Sequence, residues 1–423
     1  MRTLIRFGAL IDGSGQAPQH GAIVEIDGDT ITSVGTGFQL PAETDAKIWD
    51  LSELTALPGM IDAHMHFFGV PSRSLERLLT ENEAFRALRA AGEAAKMLQA
   101  GITAARCLGS SVGPALRRAI DEGHIPGPRL VTAGQFVCST NGTWDDLGSP
   151  LSMMRQADML ADGEDQMRSI VRRRIRAGAT VIKVGLSIGT VEDHYHAWGD
   201  SPARQVVPYT IGEVKALTSE AHRNGLKVSA HCIGDAAVRL ALDGDVDVIE
   251  HGYAVEPETR QRLADTGTIV VTTLSQLYFH LAAAGPYQYP DWERDAYERH
   301  LEAMLAALEE GRRSGVRFAL GSDLIGYPTH PPDAAPREFE FAVRAGWPAA
   351  DAIVAGTAVG AEVLGMQDSI GTLAAGKLAD IVAVRGDPLA DITVLQRPAL
   401  VFKGGARVDA GAGQAEMIAA LGG

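Results

Sequence analysis

Short apolar runs alternate with longer amphipathic segments through the middle of the chain. Eight runs have strand length, and the segments between them repeat apolar residues at helical spacing. These runs are TALPGMIDAHMHF, GITAARCLG, PRLVTAGQF, ATVIKVGL, KVSAHC, VDVIEHG, TGTIVVTTL and RFALGSD. Buried strands that alternate with helices are typical of parallel sheets. Eight such units predict an α/β fold in which residues 57–369 form a (β/α)8 TIM-like barrel.

Four of the intervening segments have a clear helical pattern. They are NEAFRALRAAGEAAKMLQ, EDQMRSIVRRRIRA, TIGEVKALTSEAHRN and ERDAYERHLEAMLAALEEGRR. The second of them contains four clustered arginines, Arg172, Arg173, Arg174 and Arg176. Because runs of like charge usually form the solvated face of a helix, we predict that these arginines face water.

Both ends of the chain have short strands separated by turns. Residues 1–56 contain Asp12-Gly13 and Asp27-Gly28, two pairs that favour tight hairpins. The same pattern of short strands and turns occurs in the C-terminal segment, in GTLAAGKLADIVAVRGDPLADITVL and LVFKGGARVDA. We therefore predict a composite β-sandwich built from residues 1–56 and 370–423.

Composition narrows the class of protein. The 423 residues carry a net charge of −15, which argues against nucleic acids and anionic membranes as partners. The three cysteines have no paired spacing, so we expect no disulfide framework and a cytoplasmic location. No window has the length of a transmembrane helix, and the N-terminal apolar stretch is short for a secretory signal.

Histidines lie at the carboxyl ends of three predicted strands. His64 and His66 end the first strand, where residues two apart point to the same face. His231 ends KVSAH and His251 ends DVIEH. Each histidine alone could be a buried core residue, but the strand ends of a barrel converge at one mouth. Together they predict a site for zinc or a related metal.

Lys183 lies in TVIKVGL, an otherwise apolar strand, where burial of an ammonium is unfavourable. It could form a Schiff base, bind substrate, or extend its amine to solvent. Between two metals a third interpretation is favoured, in which the amine reacts with carbon dioxide. The resulting carbamate is an anion that can bridge both ions.

Asp323 ends the eighth run, ALGSD. An aspartate in this position could simply cap the next helix. A single carboxylate that faces the metals can also ligate one of them, accept a proton from water, and return it to the leaving group. We predict that Asp323 is both a metal ligand and the catalytic acid/base.

These motifs together resemble the amidohydrolase superfamily over essentially the whole chain. LPGMIDAHMHF resembles the strand-one signature of that superfamily, and IEHG and GSD resemble its strands six and eight. GALIDGSG and GTLAAGKLADIVAVRGDPL resemble the segments that form its terminal β-sandwich.

A strand-four lysine followed by histidines on strands five and six is similar to the binuclear subtype. The resemblance implies that His64, His66 and Asp323 hold one divalent ion, His231 and His251 hold a second, and carbamylated Lys183 bridges them. Zinc is the expected metal, a small-molecule amide the expected substrate, and a homo-oligomer is implied by the family. The IKV and IEHG contexts resemble imidazolonepropionase-like dipeptidases and carboxypeptidases, a group that includes Xaa-Pro dipeptidases and ochratoxin-type amide hydrolases.

The chain departs from that group in two places. Where the group tends to have a Gly-Gly-His-Gly-Asp-like segment after strand three, this sequence has Thr143 in place of the histidine, followed by Trp144. The tyrosine that tends to follow the strand-five histidine is also missing, because Cys232 and Ile233 follow His231. These differences put plain dipeptidase activity in doubt, but they leave the metal ligands intact.

Loops that follow the strands usually carry specificity, and here they contain several aromatic and histidine residues. They suggest a planar or hydrophobic substrate, although some could be incidental residues of exposed loops. The candidate substrate-binding residues are Thr143, Trp144, His194, His196, Trp198, Tyr278, His280, Tyr327 and His330.

The best-supported function is hydrolysis of a peptide-like or N-acyl amino acid amide. Cyclic amides, carbamates, ureas and esters are alternatives, because the metal machinery does not distinguish these bonds. A deaminase is less favoured, since mononuclear deaminases usually place a glutamate shortly after the strand-five histidine and do not need Lys183. A barrel without activity is disfavoured, because all six candidate ligands are present and burying charged groups without a metal is costly.

Overall fold

The computed structural model describes residues 2–37, 45–191, 194–196 and 198–409, with the backbone alone for 190, 191 and 194–196. The strands are β1 (Arg2–Leu10), β2 (Gln19–His20), β3 (Ile23–Asp27), β4 (Thr30–Gly35), β5 (Lys47–Pro58), β6 (Met60–Met65), β7 (Ile102–Cys107), β8 (Arg129–Thr132), β9 (Ile182–Gly185), β10 (Gly189–Val191), β11 (His194–His196), β12 (Val228–Ile233), β13 (Val248–Tyr253), β14 (Ile269–Thr272), β15 (Phe318–Leu320), β16 (Ile381–Arg385), β17 (Leu400–Lys403) and β18 (Ala406–Arg407). The α-helices are α1 (Glu83–Gln99), α2 (Gly113–Asp121), α3 (Leu151–Gln156), α4 (Glu164–Ala177), α5 (Ile211–Arg223), α6 (Asp235–Asp243), α7 (Pro257–Thr266), α8 (Leu274–Ala284), α9 (Asp291–Arg313), α10 (Arg337–Arg344), α11 (Ala349–Val354) and α12 (Gly360–Leu364).

The middle of the chain alternates parallel strands with helices. Its eight strands pair as two parallel sheets, β6-β7-β8 and β9-β12-β13-β14-β15. Backbone hydrogen bonds also connect the two sheets on both sides. On one side, the amide of Val137 after β8 donates to the carbonyl of Lys183, and on the other the amide of Asp323 donates to the carbonyl of His64. The eight predicted strands are confirmed, but their ladders form two sheets rather than one continuous ring.

Strands from both ends of the chain pair in one mixed sheet, which we call the terminal sheet. Its order is β18-β17-β16-β5-β1-β3-β4, with β2 attached to β1. Long β5 joins the two ends, because it pairs with β1 in parallel and with β16 antiparallel. Asp27-Gly28 lies at a tight turn in which Asp27 pairs with Thr30, as predicted. The strands of both ends therefore meet in one hydrogen-bonded sheet. Their arrangement as a sandwich stays a prediction.

The four predicted helices are α1, α4, α5 and α9. The prediction that all four arginines of α4 face water is wrong for Arg174, which is 3% exposed. Its guanidinium donates to the carbonyl of Gln135 at 2.8 Å and to the carboxylate of Asp158 at 2.7 Å. The helical period explains the difference, because Arg174 shares the buried face of α4 with Ile170 and Val171. Among the described residues, none of the helices combines the length and apolar character needed to cross a bilayer.

Candidate metal centre and active-site cavity

The ends of five parallel strands bring six side chains to the floor of one cavity. Hydrogen-bonded pairing of β9, β12 and β13 fixes three of them, and β6 and the segment after β15 supply the others. The cavity has a volume of about 650 Å³. We call these six residues the donor cluster: His64, His66, Lys183, His231, His251 and Asp323. All six are buried, and the structure brings together every candidate ligand that the sequence indicates.

The donor atoms of the cluster lie within range of shared ions. Oδ1 of Asp323 is 3.0 Å from Nε2 of His66 and 3.4 Å from Nε2 of His64. His64, His251 and Asp323 each offer a ligand atom, and these atoms lie within 4.8 Å of one another. The ring of His231 packs on His251 with 4.6 Å between centroids. Imidazole nitrogens and a carboxylate at these separations fit divalent metals such as zinc.

Two residues of the donor cluster have unusual backbone conformations. His251 has φ of 71° and Asp323 has φ of 52°, both in the left-handed region that most side chains avoid. The amide of Asp323 donates to the carbonyl of His64 at 2.7 Å, which ties this conformation to β6. Strained residues held in this way are concentrated at functional sites.

Burial sets the charges of the donor cluster. It lowers the pKa of His64 to about 4, assisted by the charge of Lys183, and it lowers the pKa of His251 well below the usual value. Neutral imidazole is the form that binds a metal. Burial alone would raise the pKa of Asp323, but the nearby His64, His66 and Lys183 hold it below its usual value. The carboxylate is therefore ionised at neutral pH.

Lys183 is the one cation of the cluster, and its ammonium cannot reach solvent. The side chain is 1% exposed, and Nζ has no hydrogen-bond partner among the described residues. Burial lowers its pKa to about 8, so a substantial neutral fraction exists near physiological pH. The alternative in which this lysine extends to water is wrong. A buried amine that lacks a hydrogen-bond partner among these residues and lies next to imidazoles and a carboxylate is compatible with a group that is modified or metal-bound.

Glu250 is a part of the site that the sequence interpretation missed. It is fully buried, and its Oε2 lies 2.7 Å from Nδ1 of His64. Its Oε1 accepts hydrogen bonds from Arg106 and Ser229, each at 2.5 Å. This contact holds the His64 ring so that Nε2 is the nitrogen that faces Asp323. The signal was present in the sequence, since Glu250 and Arg106 interrupt apolar strands just as Lys183 does.

The structure divides the candidate substrate-binding residues with described side chains into two groups. Trp144, Trp198 and His280 line the cavity. Trp144 stacks on Phe136 with centroids 4.2 Å apart, and Trp198 packs against His251 at 5.0 Å. His194 and His196 belong to β11, which pairs with β10, but their side chains lie outside the described residues.

The other four candidates do not line the cavity and have partners of their own. Thr143 is buried, and its hydroxyl donates to the carbonyl of Ser187. Tyr278 stacks on Phe341, and the hydroxyl of Tyr327 donates to Asp333. His330 is buried, with Nδ1 beside the hydroxyl of Thr329. Loop position alone did not indicate which side of each loop faces the cavity.

Comparison with known proteins agrees with this geometry. The amidohydrolase family model matches residues 55–408. Ochratoxinase from Aspergillus niger is 30% identical over 429 residues, covering 95% of this chain and 86% of its own length. A Xaa-Pro dipeptidase crystallised with methionine in its active site superimposes with a TM-score of 0.85 at 29% identity, covering 96% of this chain and 99% of that chain. A prolidase in complex with N-methylphosphonate-L-proline gives 0.86 at 27% identity, covering 97% and 100%.

The family match extends across the eight parallel strands and includes all six residues of the donor cluster. These relatives also cover 95–97% of the chain. The chain belongs to the amidohydrolase family.

Proposed function

We propose that this protein is a metal-dependent hydrolase that cleaves the amide bond of a peptide-like or N-acyl amino acid substrate. The observation that carries the proposal is the convergence of six buried donor residues on the floor of one cavity. The likeness to ochratoxinase and to a Xaa-Pro dipeptidase supports the choice of an amide. We place this floor at the mouth of a (β/α)8 barrel, where such enzymes gather their reactive groups.

The donor set fits two divalent ions, with zinc as the preferred metal. His64, His66 and Asp323 would hold one ion, and His231 and His251 the other. Lys183, as a carbamate, would be the bridging ligand, which accounts for a buried amine without a hydrogen-bond partner in the described part of the chain. When bound, the ions would supply a hydroxide nucleophile near neutral pH and polarise the substrate carbonyl.

Asp323 transfers the proton from the attacking water to the departing nitrogen. Its lowered pKa keeps the carboxylate ionised, so it can accept the proton of the attacking water. The same proton then passes to the departing nitrogen, which leaves as a neutral amine. Trp144 packs against His231, and Trp198 packs against His231 and His251, so both rings would limit the access of water to the donor cluster.

Metal content measured together with hydrolysis tests the proposal. Protein purified without chelator should contain about two metal ions per chain and should hydrolyse members of a panel of dipeptides and N-acyl amino acids. Carbon-13-labelled bicarbonate should give a carbamate signal in the NMR spectrum of the metal-loaded protein.

Lys183→Ala should lose this signal and much of the metal. Lys227→Ala is the matched control, because the Lys227 amine donates to the carbonyl of Glu362, outside the cavity. A protein with about one metal per chain, whose activity is indifferent to Lys183→Ala, would instead favour deaminase-like chemistry.

A further inference from the structure

An apolar surface forms one side of the cavity next to the donor cluster. Phe68, Phe136, Met154, Met159 and Ile325 are each at most 6% exposed and belong to a single packed cluster. All five also line the cavity, and Trp144 packs against them. These side chains come from distant segments of the chain, so only the folded protein assembles this surface.

Stacked rings run along this surface from one proposed metal ligand to another. The ring of His66 stacks on Phe68 at 4.7 Å, and Phe68 meets Phe136 edge-on at 5.9 Å. Phe136 stacks on Trp144 at 4.2 Å, and Trp144 meets His231 edge-on at 5.9 Å. We call Phe68, Phe136 and Trp144 the aromatic wall. A flat group lying on this wall therefore places its neighbouring atoms at the donor cluster.

The size of the cavity and the flexibility of its apolar side suit a ring system. Its volume of about 650 Å³ lies within the range of sites that enclose whole small molecules, roughly 300–1,000 Å³. Met154 and Met159 are flexible and polarisable, and contacts between sulfur and aromatic rings are favourable. The apolar side can therefore adapt to rings of different width.

The charges of the cavity disfavour an anionic ring substituent. Lys183 and Arg73 are the cationic side chains that line it in the described part of the chain, and the segments outside that part contain no lysine or arginine. Lys183 belongs to the donor cluster, and Arg73 is exposed, with its guanidinium 4.5 Å above the ring of Tyr287. A carboxylate buried on the aromatic wall at a distance from the donor cluster would therefore lose its hydration without gaining a counter-ion from these side chains.

We propose that the substrate carries a flat, uncharged aromatic group in one half of its amide, and that this group binds against Phe68, Phe136 and Trp144. The inference rests on the proposed amide hydrolysis for the identity of the bond next to the ring. The aromatic wall then determines specificity, and the donor cluster determines the reaction.

A turnover panel tests the substrate class. N-(2-naphthoyl)glycine, with the ring in the acyl half, and N-acetyl-naphthylalanine, with the ring in the amine half, are compared with N-acetylglycine. The better of the two ring-bearing substrates should exceed N-acetylglycine in kcat/KM by about tenfold or more, and N-(4-carboxybenzoyl)glycine should fall about tenfold below N-benzoylglycine. Equal values across the panel would overturn the proposal.

A binding experiment separates this proposal from the proposed function. Methyl 2-naphthyl ketone contains no bond that the enzyme could hydrolyse, and its dissociation constant can be measured calorimetrically on the metal-loaded protein. Trp144→Ala should weaken its binding about tenfold. Trp292→Ala, which removes a partly exposed tryptophan outside the cavity, should leave binding unchanged.

Binding that responds to Trp144→Ala, together with no turnover of any amide, would uphold the aromatic wall and reject amide hydrolysis. Binding that is indifferent to Trp144→Ala would reject the aromatic wall, whatever the turnover.

Discussion

In the core of the terminal sheet, fully buried side chains such as Ile5, Phe7 and Phe402 are apolar. At the cavity floor and directly beneath it, they include Lys183 and Glu250. Charged residues of the terminal sheet stay at the surface, and the ion pair between Arg6 and Asp50 is about half exposed. Burying a charge is unfavourable unless it is paired, and apolar burial is the main source of folding free energy. The apolar core of the terminal sheet therefore stabilises the fold. The buried charged groups at the cavity floor do not, and their burial is explained by the proposed metal binding and catalysis.

The largest expected effect comes from the carboxylate at the cavity floor. Asp323→Asn should lower kcat/KM by about 10³-fold, because the amide cannot accept a proton from water. Asparagine tolerates a positive φ, so the backbone at 52° should be retained. Turnover should be measured with metal content and melting temperature on the same sample. Near-normal turnover would reject the role of Asp323 in proton transfer.

A core substitution in the terminal sheet should produce the opposite pattern. Phe7→Ala removes a fully buried ring and should reduce the free energy of unfolding by about 3–5 kcal/mol. Turnover and metal content per folded molecule should stay unchanged, because Phe7 packs in a cluster separate from the donor residues. Denaturant unfolding monitored together with activity checks this. Loss of metal without loss of stability would contradict the contrast between the two regions.

A smaller effect should follow from changing the carboxylate beneath His64. Glu250→Gln should weaken metal binding about 10- to 100-fold, because the His64 ring loses its charged partner. Glu338→Gln is the matched control, since Glu338 is equally buried but accepts hydrogen bonds from Thr272 and Ser275.

Competition with a chelator measures the metal affinity of the Glu250→Gln and Glu338→Gln variants. Equal losses in the two variants would mean that Glu250 acts through general stability rather than through His64.

The smallest effect is a dependence of metal reconstitution on pH. In the folded protein burial lowers the pKa of Lys183 to about 8, from 10.5, so its amine becomes neutral as the pH rises through this value. Carbon dioxide reacts with the neutral amine. At a fixed concentration of dissolved carbon dioxide, the rate at which metal-free protein regains activity should therefore rise between about pH 7 and 9 and then level off. A rate that falls or stays flat over this interval would contradict carbamate formation at Lys183.

The sequence predicted much of the fold, because apolar periodicity reports directly on local structure. All eight parallel strands and the helices α1, α4, α5 and α9 agree with their patterns. Arg174 shows where a local rule failed, since a run of like charges did not reveal that one side chain turns inward to Asp158 and Gln135. The pairing of the terminal strands in one sheet also depends on contacts between residues far apart in sequence.

For the candidate site, chemistry at strand ends was predictable and cavity-facing loop residues were not. The six residues of the donor cluster were identified because histidine, lysine or aspartate at the end of an apolar run is unusual. Thr143 and His330 have equally suggestive positions in the sequence but are buried against Ser187 and Thr329. Phe136 and Met154 belong to the cavity, but nothing local to their segments distinguishes them from ordinary core residues.

By itself the sequence determined the order of strands and helices and the chemical identity of the donor residues, because periodicity and residue type are local properties. Only the tertiary structure decided that Glu250 and Arg106 lie beneath His64, that Nζ of Lys183 has no hydrogen-bond partner among the described residues, and which aromatic side chains face the cavity. The physical reason is that burial, the pairing of charges and the stacking of rings depend on distances between segments that are far apart along the chain.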